Sequence, residues 1–238
     1  VCKFRMVLPT YWRVMNAVTL ALVTGSLCLS TGQLSAVHAS SISVDIATTW
    51  DSQPLNHRPL RISIGREQNG SLPITVTGPF FNSPPAPSAP KGSLMGLWEY
   101  EVAEAFFLGD HGKYLEVEFG PHGHYIVLLL NGEKNAIKHS LPLQYEAVID
   151  GNTWTGRTFL PVSYLPPGVS QMNAYAIHGE GKTRTYEALY PAPEGAHASP
   201  NFHRLQYFRN VNIKGLLTTD TSTLSAIWEE AMKKPGCC

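Results

Sequence analysis

Residues 98–132 read WEYEVAEAFFLGDHGKYLEVEFGPHGHYIVLLLNG, and the fold class turns on that stretch. Trp98 to Leu108 is an apolar run with carboxylates set into it, Tyr114 to Phe119 alternates, and Tyr125 to Leu130 is apolar throughout. Period-two alternation marks a strand with one buried face, whereas a short unbroken apolar run marks one buried on both faces. Asn131-Gly132 follows as a hairpin signal, because both residues tolerate the left-handed conformations of a tight turn. The stretch therefore reads as successive antiparallel strands lying deep in a sheet.

The pattern extends outward. Upstream, Ile42, Val44 and Ile46, then Leu60, Ile62 and Ile64, then Leu72, Ile74 and Val76 each alternate with polar residues. Downstream, further strands are expected at about 143–149, 153–160, 172–178 and 184–190 by the same criterion. Many short strands separated by turn residues, in a chain with 20 Gly and 18 Pro, predict an all-β protein. The architecture expected is an antiparallel two-sheet β-sandwich over residues 41–217. Between the upstream strands and the central stretch lies Pro79 to Gly96, whose five prolines cannot continue a sheet. A loop that long is either mobile or functional. Thr223 to Lys234 is the one helical pattern, with Leu224, Ile227, Trp228 and Ala231 on one face. It closes a C-terminal segment, 218–238, expected to pack back onto the sandwich.

Composition narrows the function. Charged residues make up 15% of the 238 and balance to zero, so no basic field is present to hold a phosphate backbone, and nucleic acid is not an expected partner. The four cysteines lie at positions 2, 28, 237 and 238, so residues 41–217 contain neither a disulfide nor a cysteine-ligated metal. Residues 1–40 are free of acid and place Lys3, Arg5 and Arg13 before an apolar run from Ala17 to Leu29. That run suits a signal-peptide core and is short for a transmembrane helix, so none is expected. Two readings stand: a signal or transit leader, giving a secreted protein if it is an export signal, or an extension foreign to the body, giving a cytoplasmic one. Cys237-Cys238 reads as a lipidation signal or simply a frayed end.

The chemistry-bearing residues gather in the central stretch and after it. Aromatic rings stack on the apolar faces of sugars while carboxylates and amides hydrogen-bond the hydroxyls. Trp98, Tyr100, Tyr175, Tyr186 and Tyr190 are candidates for such a platform, with core filling as the competing role for each. Glu101 and Glu104 are three apart, so strand alternation puts them on opposite faces, whereas Glu116 and Glu118 share one. His122 and His124, at i and i+2, suit a metal that draws a third ligand from elsewhere, such as His178 or His203. No other cofactor is expected, a structural calcium or similar metal excepted. There is no Gly-x-Ser-x-Gly, no phosphate-binding glycine loop and no His-Glu-x-x-His.

Leu97-Trp98-Glu99-Tyr100-Glu101-Val102-Ala103-Glu104-Ala105-Phe106 resembles the signature strand of family 9 carbohydrate-binding modules. Tyr114 to Gly123 resembles that family's next strand and Pro-x-Gly turn, Trp154 to Pro161 its later strand, and Asn173 with Phe202 to Phe208 its closing strands. A closer resemblance is to the family of the human chromosome 4 open reading frame 33 protein. It spans Trp50-Asp51, Phe80-Phe81, Pro84 to Pro87, the Trp98 segment, Ala176 to Gly179 and Tyr186 to Pro191. The first resemblance implies a DOMON-like sandwich and a carbohydrate or similar small polar ligand, bound without catalysis through Trp98, Tyr100, Glu101, Glu104, Tyr175, His178, Tyr186 and Tyr190. The second tryptophan that clamps a glycan in that family is replaced here by Leu189 or Tyr190. Two other readings stay open: an enzyme acting on a sugar-like substrate through cleft carboxylates and histidines, and a protein-interaction sandwich contacting partners through its proline-rich loop. Oligomeric state is not encoded in these patterns.

Overall fold

The computed structural model describes residues 41–233. Strands follow in the order β1 (Ser41–Ile46), β2 (Thr48–Thr49), β3 (Leu60–Gly65), β4 (Ser71–Pro79), β5 (Gly92–Ser93), β6 (Val102–Leu108) and β7 (Lys113–Phe119). They continue through β8 (His124–Asn131), β9 (Ala136–Lys138), β10 (Tyr145–Asp150), β11 (Thr153–Pro161), β12 (Gln171–His178), β13 (Thr185–Ala188) and β14 (Arg209–Asn210) to the helix α1 (Ala226–Lys233). The smaller sheet has the order β1-β3-β4-β11-β10. The larger runs β2-β13-β12-β6-β7-β8-β5, with β14 on β12 and β9 on β8. Every pairing is antiparallel except β5 with β8. The two-sheet antiparallel sandwich expected from the sequence is the observed fold.

Alternation explains which face each strand buries. From the smaller sheet Leu60, Ile62 and Ile64 of β3 and Leu72, Ile74 and Val76 of β4 enter the core between the sheets. They meet the odd-numbered residues of the central strands: Ala103, Ala105 and Phe107, then Leu115, Val117 and Phe119, then Tyr125, Val127 and Leu129. Each of the Val, Leu, Ile and Phe side chains contributes roughly 1.5–3 kcal/mol by leaving water.

The even-numbered residues of β6, β7 and β8 are buried too, under a second apolar cluster on the outer face of the larger sheet. Val102, Phe106, Leu108, Tyr114, Ile126, Leu128 and Leu130 belong to it. Chain following β13 roofs this face, with Phe202 and Phe208 packed into the same cluster. This second cover is why β8 is apolar on both faces from Tyr125 to Leu130.

The elements differ from the sequence pattern in several places. The Pro79 to Gly96 segment, expected to stay out of the sheets, contributes the two-residue β5 to the edge of the larger one, and the short β9 and β14 have no counterpart in the pattern. Trp98 is not on a strand: Leu97–Glu99 forms a 3-10 turn, and β6 begins only at Val102. Gly96, at φ 83°, turns the chain into it, a conformation that glycine adopts without a Cβ clash. The helix begins at Ala226 rather than Thr223, and it docks as its apolar stripe requires. Trp228 is fully buried and its indole N–H donates to the Tyr164 carbonyl at 3.0 Å. Among the described residues no helix is long and apolar enough to cross a membrane. The expected leader, residues 1–40, and the Cys237-Cys238 pair lie outside the described residues.

Candidate ligand-binding site

The outer face of the larger sheet carries a cavity of about 830 Å3. Its floor comes from β6, β7 and β8 (Glu104, Glu116, Leu128 and Leu130) and from Ile177 of β12. Its walls are Met95 and Trp98 on one side, Lys134, Ala136 and His139 on another, and Tyr186 with Pro200 to His203 closing it.

The floor holds an energetic anomaly. In the β6–β7 register Glu104 stands directly opposite Glu118, and Glu116 pairs with Phe106 on the same face. The three side chains place carboxylate oxygens within 4.8 Å of one another. They are 2%, 5% and 0% exposed, yet one oxygen of Glu104, one of Glu116 and both of Glu118 have no hydrogen-bond partner in the protein. A buried unpaired charge is expensive, so such groups hold a proton or meet a partner. Burial, then the neighbouring Glu116, pushes the Glu104 carboxyl well above the ordinary range, with Arg184 opposing. Burial, then Glu104 and Glu116, does the same to Glu118. Burial raises Glu116 to about 7, moderated by the adjoining Glu118 carboxyl. At neutral pH the floor therefore offers both proton donors and acceptors.

Asn173 on β12 is the contrast. It is fully buried but fully engaged: its amide donates to the Tyr175 hydroxyl at 2.8 Å and the Tyr190 carbonyl at 2.9 Å, and its oxygen accepts from the Ala174 and Tyr190 amides. Asn173 is a fastener for the chain after β13.

The wall is positioned by Arg184, which the sequence patterns do not single out. Its guanidinium donates to the Trp98 and Glu99 carbonyls and to the Tyr186 hydroxyl, and lies 5.5 Å from the centre of the Tyr186 ring. One cation thus ties the turn bearing Trp98 to the strand bearing Tyr186. His203 is likewise set in place. The Tyr114 hydroxyl accepts the Lys134 amide at 3.1 Å and shares a hydrogen bond with His203 Nδ1 at 2.7 Å, which holds the cavity-lining ring. Burial, then Lys134, lowers His203 to about 4, so the ring is neutral at pH 7.

Of the residues expected from sequence, Trp98, Glu104 and Tyr186 come together at this cavity. Trp98 is 37% exposed. Tyr175 lies within the second apolar cluster, stacked on Phe202 with ring centres 4.0 Å apart. Tyr190 meets the site only through its backbone bonds to Asn173. Tyr100 packs toward the proline-rich loop beside Pro84, Pro85 and Pro87. Glu101 lies on the other face from Glu104, as alternation requires, where its carboxylate accepts the Phe81 amide at 3.1 Å and the Ser83 amide at 3.4 Å. Glu101 is therefore an anchor for the Pro79 to Gly96 loop. His178 is also on that side, its Nε2 2.8 Å from Glu187. His124 Nε2 donates to the Ala89 carbonyl at 2.9 Å, and His122 packs edge-on against Phe80. Among the described residues His122 and His124 belong to neither cluster of three metal-competent donors.

Relatives place the chain. It is 46% identical to the UPF0462 protein C4orf33 homolog of Danio rerio over 196 residues, covering 79% of this chain and 98% of that protein. The chain belongs to the UPF0462 family. The Mus musculus homolog and the Homo sapiens UPF0462 protein C4orf33 are each 44% identical over 177 residues, 72% of this chain and 92% and 88% of theirs. No protein-family model matches the chain. Among solved structures, a "putative carbohydrate-binding protein" from Bacteroides uniformis superposes with a TM-score of 0.50 at 15% identity, covering 71% of this chain and 83% of that one. At that identity the likeness concerns the sandwich alone.

Proposed function

We propose that this UPF0462 chain is a non-catalytic binding module that takes a glycan end, or a similar small polyhydroxylated ligand, into the cavity on the larger sheet. The observation that carries the reading is the pairing of a part-exposed Trp98 wall with a buried carboxyl floor in one cavity of about 830 Å3. That volume lies within the range of roughly 300–1,000 Å3 common to small-molecule sites. The indole offers a stacking face for a ring, and the floor offers hydroxyl partners of both polarities. The carbohydrate-binding description of the Bacteroides uniformis neighbour agrees with this reading.

The enzymatic reading draws support from Glu116, held near 7 where a general acid or base works best. Placement argues against it. Glycosidase carboxylates flank the scissile bond from two sides, whereas Glu104, Glu116 and Glu118 rise from adjacent positions of one sheet face. Glu104 and Glu116, the two that line the cavity, approach a ligand from below only.

A glycan array probed with the full chain tests the proposal. Binding to a defined glycan subset is expected, weakened by about 1–3 kcal/mol in Trp98→Ala, a range borrowed from aromatic stacking on bases. An array without signal, or hits bound equally by Trp98→Ala and Glu104→Gln, would remove the cavity from consideration. Release of a cleaved product from a bound glycan would favour the enzyme.

A further inference from the structure

On the opposite side of the larger sheet from the carboxyl floor, three metal-competent side chains from distant parts of the sequence converge. His57 comes from the chain between β2 and β3, His178 ends β12, and Glu187 lies on β13 opposite Ala176. His178 Nε2 is 2.8 Å and His57 Nε2 is 3.1 Å from the same atom, Glu187 Oε1. Glu187 is 1% exposed, and the two imidazoles are largely but not wholly buried, at 13% and 16%.

The decisive detail is at the other nitrogen of His57. His57 Nδ1 lies 3.0 Å from the Arg58 carbonyl. A carbonyl only accepts, so the proton of a neutral His57 sits on Nδ1, and Nε2 aims a lone pair at a carboxylate oxygen. With a neutral ring two electron-rich atoms face each other at 3.1 Å, an arrangement made favourable by a metal ion between them or by a second proton on the imidazole. Metal-bound histidines have this build, with one nitrogen donating to a carbonyl so that the other is presented to the ion. Donor atoms around a tetrahedral zinc with bonds of about 2.1 Å lie about 3.4 Å apart, a few tenths of an ångström beyond the distances seen here. A void of about 10 Å3, lined by all three ligands and by Phe81 and Glu101, adjoins the cluster. Phe81 roofs it, stacked on His178 with ring centres 3.7 Å apart.

We propose that His57, His178 and Glu187 bind a zinc-class divalent ion. Two imidazoles and one carboxylate select zinc and its transition-metal neighbours over calcium and magnesium, which take oxygen donors. The void is too small for a substrate, so the ion stitches the chain around His57 onto the β12–β13 hairpin, with at most a water at its fourth position. The proposal does not depend on what the cavity over the carboxyl floor binds.

The test uses the full chain carrying Cys2→Ser, Cys28→Ser, Cys237→Ser and Cys238→Ser, so that thiolates do not compete. After chelator treatment and its removal, Zn2+, Co2+, Ca2+ and Mg2+ are titrated separately by calorimetry and thermal melting. Expected are one Zn2+ per chain, a higher melting temperature with Zn2+ and not with Ca2+ or Mg2+, and a tetrahedral absorption band with Co2+. His57→Asn, a change in a loop that leaves the strands intact, should weaken Zn2+ binding by about a hundredfold or more, since even outer partners of metal ligands contribute up to that. Glu187→Gln should do the same, and each variant's melt without metal shows that it is folded. No stoichiometric Zn2+ binding would mean that an imidazolium–carboxylate pair explains the cluster. Binding retained in His57→Asn would place the ion elsewhere. Either result overturns the proposal.

Discussion

A carboxyl that keeps its proton in the folded chain beyond the pH at which the unfolded chain releases it makes stability depend on pH in a fixed direction. Glu116 is held near 7 against an ordinary 4.5. Between those values the folded state binds more protons than the unfolded one, so stability falls as pH rises through the window. Below 4.5 the group contributes no penalty; above 7 the penalty is complete, on the order of 3 kcal/mol for Glu116. Glu104 and Glu118, raised in the same direction, add to the decline. Thermal melts from pH 5 to 8.5 should show a falling midpoint, and Glu118→Gln should flatten it, gaining most at the alkaline end. A midpoint that rises over this range, or a variant with the parent's slope, would mean that the three carboxyls are solvated. The sequence exposed part of this site. Glu116 and Glu118 sharing a face follows from their spacing, but Glu104 joining them depends on the β6–β7 register, which no local pattern fixes. Arg184 was not legible at all and His203 only as a possible metal ligand, because their places here lie in contacts with Trp98 and Tyr114, residues nearly ninety positions away.

Elements fix the next two expectations. The proline-rich loop has its own purchase on the sandwich: Glu101 accepts the Phe81 and Ser83 amides, and the Gly179 amide donates to the Ser83 carbonyl at 2.6 Å. Glu101→Ala leaves two amide donors without their acceptor, which should cost about 1–3 kcal/mol. Hydrogen exchange at Phe81 and Ser83 should accelerate while exchange in β6 to β8 stays slow; unchanged exchange at Phe81 would show that the loop is held by something else. The helix supplies the second. Trp228→Ala opens a hole where α1 meets the 3-10 turn around Tyr164 and should lower stability by roughly 3–5 kcal/mol in a denaturant titration. A loss under 1 kcal/mol would mean that α1 is an appendage. Strand faces and the helix stripe were readable because alternation and helical spacing are local. The Trp98 turn was not, because the aromatic and apolar residues of the turn run on into those of β6 and conceal the break that Gly96 introduces.

At the scale of the whole molecule, the larger sheet is covered twice, and each cover hosts a different chemistry. The face toward the smaller sheet is an apolar core with the His57–His178–Glu187 cluster at its rim. The outer face is roofed only in part by chain after β13, and the uncovered remainder is the cavity in which Trp98 stands above the carboxyl floor. An outer face covered entirely by a second apolar layer would be a structural device; the binding proposal rests on this one being left open over buried acids. That the outer face holds the ligand site is the central claim, and the indole N–H signals of the full chain report on it directly. Titration with the strongest glycan from the array should shift and saturate the Trp98 indole resonance, leaving those of the core residues Trp154 and Trp228 in place. A bound glycan that leaves the Trp98 indole unmoved would contradict the claim.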